Sequence, residues 1–373
     1  MLFSIVVPTV NRPETLIECL KTLTSEKGDD FEIIISDDCG DPENAKVFEQ
    51  FKDDLKVKYF RQSHRLGMRG NYEKALEYCS GDYITILGDD DGLVSGGLEL
   101  AREVLTLKQP DIIFWWPHMY WWPNALISKK QNLLYILKPK RKVHWVESKD
   151  FVKKFFQSKN QWQFERLPSI YNGFVSRNFI NKVKNQFGEY FHDEIPDVGS
   201  GILNGIFCES SALVDWPITI RGISGKSFGV AFRHPEGKEL AKEFKAQMKT
   251  KMCEDELLDS SSLAVHIAST KLRAIKKFPI MLGDSKVEIQ DVIDGIISEV
   301  SENQGQHLEL IEDANNLAKK YDLPLPDTNI DRVDQNKKTW GWGDDLLCIN
   351  CEDIEVKNIN DAAKLITAVV GKF

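Results

Sequence analysis

Three consecutive carboxylates, Asp89-Asp90-Asp91, follow an apolar run at residues 83–87 that predicts a buried β-strand. In an open α/β sheet, ligands bind at the carboxyl ends of the strands. Adjacent like charges destabilise each other unless a cation or water offsets them, and Mg²⁺ is typically held by one or two carboxylates plus substrate phosphates. The triplet therefore indicates either a metal–diphosphate site or an acidic, solvated turn before a helix capped by Ser95.

Polar residues follow two other predicted strands in the same way. The first strand, residues 4–8, leads into a polar loop at residues 9–12, and the second strand, residues 31–36, leads into Asp37-Asp38. Strands separated by helices imply parallel pairing with right-handed crossovers, so the three clusters should meet at one crevice. There, carboxylates could accept hydrogen bonds from a nucleotide's base and ribose, while a cation neutralises its diphosphate.

The elements that must position these clusters change in character along the chain. Apolar spacing predicts helices over residues 13–24, 71–79 and 98–107, between the strands of the first hundred residues. The chain turns helical and charged from about residue 237. We predict a catalytic unit over residues 1–235, with a nucleotide-binding half (1–100) and an acceptor half (101–235), followed by a mainly helical region at residues 236–373.

Composition and charge limit the classes of function. The chain has 373 residues, of which 42% are hydrophobic and 28% charged, as in soluble globular proteins. A net charge of −9 argues against a general nucleic-acid binder. No apolar run approaches the roughly 18 residues of a membrane helix. The first residues predict a strand rather than a signal peptide, and we expect a cytoplasmic protein.

The seven cysteines are odd in number and mostly scattered, which favours a reducing compartment. Cys348 and Cys351 have the two-residue spacing of a zinc or redox pair, but no second pair lies near them. A structural role is therefore favoured over metal or redox chemistry.

Three stretches together resemble the family 2 inverting glycosyltransferases of the GT-A fold. They are SIVVPTVNRP at residues 4–13, FEIIISDD at residues 31–38 and GDYITILGDDD at residues 81–91. The Leu-Gly-Asp-Asp-Asp form is similar to a subgroup that builds bacterial surface polysaccharides, such as O-antigen and capsule. The resemblance is good over about residues 3–100 and weak to about 235. It is absent beyond that residue. It implies an α/β, Rossmann-like fold with a mostly parallel central sheet flanked by helices, to which the sequence pattern adds a mainly helical C-terminal appendage.

The resemblance also implies roles for individual residues in nucleotide binding. Thr9 and Asp38 match positions that hold the base, and Asp89 matches the position that contacts the ribose. The other implied nucleotide-binding residues are Pro8, Asn11, Arg12 and Arg69, with Arg65 as the alternative to Arg69.

A divalent metal, Mn²⁺ or Mg²⁺, is the implied cofactor, and Asp90 matches its ligand. Gly88 stands where many members have the first Asp of an Asp-x-Asp motif, so fewer carboxylates are left for the metal. Asp91 could add a ligand or could cap the following turn, and the cap is slightly favoured.

The implied reaction moves a hexosyl or deoxyhexosyl group, with inversion, from a nucleotide sugar to a hydroxyl of a glycan or lipid-linked glycan. UDP is the favoured nucleotide, with dTDP, CDP and GDP as alternatives. A carboxylate in the second half removes the proton of the acceptor hydroxyl. Asp197, after Pro196, fits this general base best, and Asp193 and Glu194 are its rivals. These acids could instead only favour a helix N-terminus through its dipole.

Two other classes of protein stay open. A sugar nucleotidyltransferase also uses acidic residues, but such enzymes usually carry a glycine-rich loop after the first strand, and residues 8–12 contain no glycine. A non-catalytic carbohydrate-binding or scaffold protein is the third class, and the retained acidic set argues against it.

Three further segments have alternative roles. The tryptophans within residues 115–122 could stack on an acceptor sugar or pack in the core. The basic run at residues 138–142 could be a solvated loop or could contact anionic lipid at the inner face of the membrane. The C-terminal helices could pair protomers in a homo-oligomer or shape the acceptor site.

Overall fold

The computed structural model describes residues 1–302, 307–327, 341–342 and 345–371. Its strands are β1 (Phe3–Thr9), β2 (Phe31–Asp37), β3 (Val57–Arg61), β4 (Tyr83–Ile86), β5 (Gly92–Leu93), β6 (Ile112–Phe114), β7 (His118–Trp121), β8 (Leu133–Leu137), β9 (Val143–Val146), β10 (Gly173–Ser176), β11 (Ser211–Val214), β12 (Thr219–Ile223), β13 (Gly341–Trp342) and β14 (Leu346–Asn350).

The helices alternate with these strands in the first half of the chain and dominate after β12. They are α1 (Pro13–Thr24), α2 (Glu43–Glu49), α3 (Gly67–Ala75), α4 (Gly97–Lys108), α5 (Ser148–Gln157), α6 (Arg177–Phe187), α7 (Pro196–Phe207), α8 (Phe228–Ala231), α9 (Lys238–Gln247), α10 (Leu263–Lys277), α11 (Pro279–Leu282), α12 (Ile289–Glu302), α13 (His307–Lys320) and α14 (Ile359–Val370).

An eight-stranded sheet forms the centre of the molecule, in the order β3-β2-β1-β4-β10-β6-β11-β9. The first four of these strands are parallel, and β10 and β9 run antiparallel to their neighbours. The predicted α/β class with a mostly parallel central sheet and C-terminal helices is confirmed. Strand register pairs Thr9 with Asp37 and Val6 with Ile86, so β1, β2 and β4 end at the same edge of the sheet.

The two faces of this sheet contribute to two apolar cores. Alternate residues of a strand point to opposite faces. Ile5 and Val7 of β1 pack with the buried face of α1, while Val6 packs with helices on the other face. Because both faces are covered, β1 and β2 are buried along their whole length, which explains their nearly continuous apolar sequence.

Helix α3 begins four residues before the predicted start at residue 71. Its first amides donate to the Asp38 carboxylate, Leu66 N at 2.6 Å and Gly67 N at 3.1 Å. The cap therefore comes from the end of β2, about thirty residues earlier, and no local capping residue marks this start.

A second, six-stranded sheet has the order β13-β14-β8-β7-β12-β5. Helix α14 lies in the predicted helical C-terminal region, and its Ile359 and Ile366 pack in one core with Tyr120 and Trp122. Residues 345–371 thus fold back onto the first half of the chain. The boundary near residue 235 stays a prediction, and α10 and α12 contribute to the same core as Val6. None of the helices in the described ranges has the length and apolar composition needed to cross a bilayer.

Candidate active site

A cavity of about 520 Å³ lies where β1, β2 and β4 end. All three polar clusters of the sequence reach it, through Pro8, Thr9 and Arg12, through Asp38, and through Gly88 to Asp91. Asp197 lines the same cavity, from the first turn of α7. Strand order alone accounts for the first three clusters, since parallel strands end at one edge of a sheet.

Asp89 is 3% exposed and fixed by two side chains, one from the last residue of β1 and one from the β1–α1 loop. It accepts a hydrogen bond from Thr9 Oγ1 at 2.6 Å and pairs with Arg12 Nη1 at 3.0 Å. Burial raises the pKa of Asp89 to about 6, although Arg12 opposes this shift. Its position on the cavity wall is therefore set before any ligand binds.

Asp90 is held by the segment that follows β12. Its Oδ2 accepts hydrogen bonds from Ser224 Oγ at 2.7 Å and Ser227 Oγ at 2.6 Å. Its Oδ1 receives no hydrogen bond from the described residues. A second carboxylate oxygen is thus left for a ligand in the cavity.

Asp91 has no such free oxygen. Gly88 N donates to its Oδ2 at 2.9 Å and Gly222 N donates to its Oδ1 at 2.7 Å. The Asp91 carboxylate therefore bridges two backbone segments. Burial and the neighbouring Asp90 raise the pKa of Asp91 well above its usual range. This arrangement accounts for Gly88, because a Cβ there would lie 2.8 Å from Asp91 Oδ2.

The donor set fits a divalent metal that arrives with a diphosphate, and it does not fit a metal caged by the protein. Within the described residues, no group of three or more His, Cys, Asp or Glu side chains comes together as a metal site. Asp90 Oδ1 would supply one carboxylate ligand to such a metal, since Mg²⁺ commonly binds through one or two carboxylates plus substrate phosphates.

Of the two arginines considered for the nucleotide, Arg65 lines the cavity and Arg69 does not. Arg65 Nε lies 3.4 Å from Asp38 Oδ2. Arg69 points away and donates to the Phe191 carbonyl at 2.8 Å, besides pairing with two glutamates near that residue. Burial raises the pKa of Asp38.

Asn11 also lies outside the cavity lining. It has a left-handed backbone, with φ of 52°, and its Oδ1 accepts a hydrogen bond from Asp41 N at 2.6 Å. Asn and Asp tolerate this conformation better than other non-glycine residues. Asn11 therefore shapes the loop that carries Arg12.

The three acids before and in α7 have different surroundings. Asp193 pairs with Arg273 Nε at 2.7 Å, and Glu194 accepts hydrogen bonds from Arg69 and Thr250. Neither lines the cavity, whereas Asp197 does. Burial raises the pKa of Asp197, and Arg221 opposes that shift.

Sequence reasoning missed the segment around β12. Ser224 and Ser227 hold Asp90, and Arg221 lines the cavity while pairing with Glu165 at 2.8 Å. Gly222 is required here because a Cβ on it would lie 1.7 Å from the Asp90 carbonyl oxygen. The motif Ser-Gly-Lys-Ser at residues 224–227 was the available signal, but it has the composition of an ordinary loop.

The far side of the cavity is aromatic and apolar. Its lining side chains are Met119, Trp121, Ile127, Trp162, Phe164, Phe228, Phe232 and Phe244. Trp121 is thus the tryptophan of the 115–122 cluster that lies in the cavity wall. Trp115 is buried and donates to Thr219 Oγ1 at 2.8 Å, so it belongs to the core.

Two other segments lie away from the cavity. The basic run at residues 138–142 joins β8 to β9, and Lys140 pairs with Asp345 at 3.0 Å. Cys348 and Cys351 are free thiols, and burial raises the pKa of Cys351 to about 12. A thiol with that pKa is a poor nucleophile and a poor metal ligand at neutral pH.

Comparison with known proteins matches the first half of the chain, which supplies the strand ends that line the cavity. Residues 4–165 match the model of the family described as glycosyl transferase family 2. The chain is 34% identical over 132 residues to the GalNAc(5)-diNAcBac-PP-undecaprenol beta-1,3-glucosyltransferase of Campylobacter jejuni. That alignment covers 35% of this chain and 40% of that protein. It is 31% identical over 116 residues to the abequosyltransferase RfbV of Salmonella typhimurium, covering 30% of this chain and 34% of that protein.

Among solved structures, Staphylococcus aureus TarS 1-349 in complex with UDP-GlcNAc aligns with 86% of this chain and 88% of its own, at 15% identity and a TM-score of 0.47. The Pyrobaculum calidifontis mannosyltransferase in complex with GDP-Man and Mn²⁺ aligns with 85% of this chain and 80% of its own, at 10% identity and a TM-score of 0.46. The chain spans about 34–40% of the two curated relatives given above.

Proposed function

We propose that the chain, whose residues 4–165 match the glycosyl transferase family 2 model, moves a sugar from a nucleotide sugar to a hydroxyl of a glycan acceptor, with inversion at the anomeric carbon. The observation that carries this proposal is a single cavity with Asp89 and Asp90 at the strand ends and Asp197 on α7. An acid fixed for the nucleotide, an acid with a free oxygen for a cation and an acid for the acceptor are the three that this reaction needs.

The nucleotide lies along the strand ends in this proposal. The buried Asp89 carboxylate, fixed by Thr9 and Arg12, accepts hydrogen bonds from the ribose hydroxyls through its remaining lone pairs. Asp38 already accepts two backbone amides of α3, so it supports the base pocket together with the backbone of Thr9. Arg12 and Arg65 place positive charge beside the diphosphate.

The transfer step needs one proton acceptor. The acceptor oxygen forms a bond to the anomeric carbon, the bond from that carbon to the diphosphate oxygen breaks, and the hydroxyl proton passes to the Asp197 carboxylate. Because burial raises its pKa, Asp197 holds that proton more firmly than an exposed aspartate would. The charge of Arg221 opposes this shift of the pKa and so favours the ionised carboxylate. A divalent metal bound at Asp90 supplies positive charge for the leaving diphosphate.

We further propose that the acceptor is a lipid-linked glycan of bacterial surface polysaccharide synthesis. The support is the name of the Campylobacter relative, whose acceptor glycan is attached to undecaprenyl diphosphate. The aromatic side of the cavity, with Trp121 and Trp162, suits the faces of sugar rings.

The test is to incubate the protein with Mn²⁺ and UDP-, dTDP-, CDP- and GDP-sugars, and to measure the thermal midpoint and slow release of nucleoside diphosphate. We expect stabilisation by one nucleotide class and a higher midpoint with Mn²⁺ than with EDTA. If no nucleotide sugar stabilises the protein, with or without metal, the transferase proposal is wrong.

A second arm separates the transferase from a sugar nucleotidyltransferase. The protein is given a nucleoside triphosphate and a sugar 1-phosphate, and pyrophosphate release is measured. A transferase releases none, so pyrophosphate formation at a rate above diphosphate release from nucleotide sugars would identify the other class.

A further inference from the structure

A second cavity, of about 820 Å³, lies between α5, α10, α11 and α12. It contains none of the residues assigned above to nucleotide, metal or base. It shares Ile267 of α10 with the first cavity, and the adjacent residues Gln161 and Trp162 line the second and the first cavity respectively. Helix α10 and this short segment therefore form the wall between the two.

Part of the lining is hydrocarbon. The apolar residues that line it are Val152, Phe156, Ile206, Ile267, Leu282 and Val292. Met281 also lines the cavity, from α11, and is 57% exposed, while its neighbour Ile280 is 91% exposed. Exposed aliphatic side chains beside an apolar cavity indicate a place for an apolar ligand.

Lys271 is a half-buried cationic group of this cavity, and Asp291, which pairs with Lys159, is an acid whose charge acts on it. Its ammonium lies 4.6 Å from the centre of the Phe155 ring, and it makes no ion pair with any carboxylate of the described residues. Burial lowers the pKa of Lys271 to about 8. A half-buried ammonium with no carboxylate in contact with it is destabilising until an anion compensates it.

The other charged groups of the lining are largely satisfied. Lys159 pairs with Asp291 at 3.1 Å and Lys286 with Glu288 at 2.5 Å. Asp150 and Asp284 are exposed, where water and salt screen them from the interior. Lys153 also lines the cavity and is exposed, where water and salt screen its charge.

We propose that this second cavity binds one anionic amphiphile, with its hydrocarbon chain on the apolar lining and its phosphate or carboxylate head at Lys271. The volume lies within the roughly 300–1,000 Å³ of small-ligand pockets. The hydrocarbon chain of the ligand removes apolar lining from water, and its head group places an anion in contact with Lys271, which Asp291 does not. This site is separate from the proposed transferase chemistry and does not depend on it.

The test uses decyl phosphate, below its micelle concentration, titrated into the full chain by calorimetry. We expect one site per chain. Inorganic phosphate should bind at least roughly 100-fold more weakly, because each buried methylene contributes about 0.8 kcal/mol. Decyl maltoside, which has the chain without the charge, should also bind more weakly. Equal affinity for inorganic phosphate, equal affinity for decyl maltoside, or no binding of decyl phosphate would each overturn the proposal.

Substitutions locate the site. Lys271→Met keeps a long apolar side chain beside Phe155 and should weaken decyl phosphate binding by roughly 10- to 100-fold, as expected for a charge-assisted hydrogen bond. Lys271→Arg should restore most of it. Lys46→Met, on the exposed face of α2, is the matched control and should change nothing. Unchanged binding in Lys271→Met, with an unchanged thermal midpoint, would contradict the proposal.

A vesicle arm separates a single bound molecule from a bilayer surface. Binding to phosphatidylglycerol vesicles without binding of monomeric decyl phosphate would show a surface effect and overturn the cavity assignment. All of these measurements are made without a nucleotide sugar, so they stay informative whether or not the transferase proposal survives.

Discussion

Two acidic clusters of this molecule look alike in sequence and differ in the fold. Asp89-Asp90-Asp91 ends a strand, and Asp193, Glu194 and Asp197 lead into and begin α7. In the first cluster all three residues line the cavity, although only Asp90 keeps an oxygen without a hydrogen bond from the described residues. In the second cluster, Asp193 and Glu194 form ion pairs with arginines outside the cavity.

The difference shows that the partners of a carboxylate, rather than its neighbours in sequence, decide what it can do. Asp193 and Asp197 are four residues apart near the start of one helix, yet Arg273 neutralises the first while the second faces open space. A carboxylate whose charge is already compensated by a buried guanidinium is a poor proton acceptor, since the pair lowers its pKa.

The largest expected effect is the loss of kcat when the proposed general base, Asp197, is replaced. Asp197→Asn should lower kcat by roughly 10²- to 10⁴-fold, because the amide cannot take the acceptor proton. Nucleotide binding should stay unchanged, as measured by calorimetry with the nucleoside diphosphate. Asp193→Asn is the matched control and should leave kcat within a factor of three. Normal transfer by Asp197→Asn would contradict the assignment.

For Asp193, in contrast to Asp197, the expected effect is on stability. Asp193→Asn leaves the Arg273 guanidinium largely buried without its carboxylate, and breaking such a pair costs roughly 3–5 kcal/mol in the free energy of unfolding. Urea denaturation measures this loss. The double variant Asp193→Asn with Arg273→Met should lose less than the sum of the single variants. Additive losses would show that the two groups do not depend on each other.

The buried Asp89 should give the folded protein a pH dependence. Its folded-state pKa of about 6 lies above the unfolded value. The Asp89 carboxyl therefore keeps its proton to a higher pH in the folded protein than in the unfolded chain. The free energy of unfolding falls as pH rises from about 4 to about 6. The difference is at most roughly 3 kcal/mol for two pKa units. Asp89→Asn should flatten this part of the curve of unfolding free energy against pH, and an unchanged curve would show that another group titrates.

The smallest expected effect concerns the support of Asp90. Ser227→Ala removes one hydroxyl that fixes its carboxylate, and loss of such a partner typically weakens metal binding roughly 10- to 100-fold. The Mn²⁺ concentration for half-maximal transfer measures this change. Ser227→Thr keeps the hydroxyl and serves as the control. A metal requirement unchanged in Ser227→Ala would mean that Ser224 alone suffices.

Much of the fold followed from local pattern. Continuous apolar runs predicted β1 and β2 as buried strands, and apolar spacing predicted α1 over Pro13–Thr24, as the structure has it. The start of α3 could not be predicted, because its N-terminal amides are capped by Asp38 from another element. Local patterns also gave no reason to prefer Arg65 over Arg69, since both lie near the start of the same helix.

The sequence by itself determined that carboxylates gather at the ends of parallel strands, because strand periodicity and alternating helices leave few topologies open. Three motifs in order also predicted the resemblance to family 2, and residues 4–165 match the model of glycosyl transferase family 2. Only the tertiary structure decided which acid is free, since that depends on Ser224, Gly222 and Arg273, each far from its partner along the chain. Hydrogen bonds and ion pairs join groups by distance in space, so no local pattern of residues could reveal them.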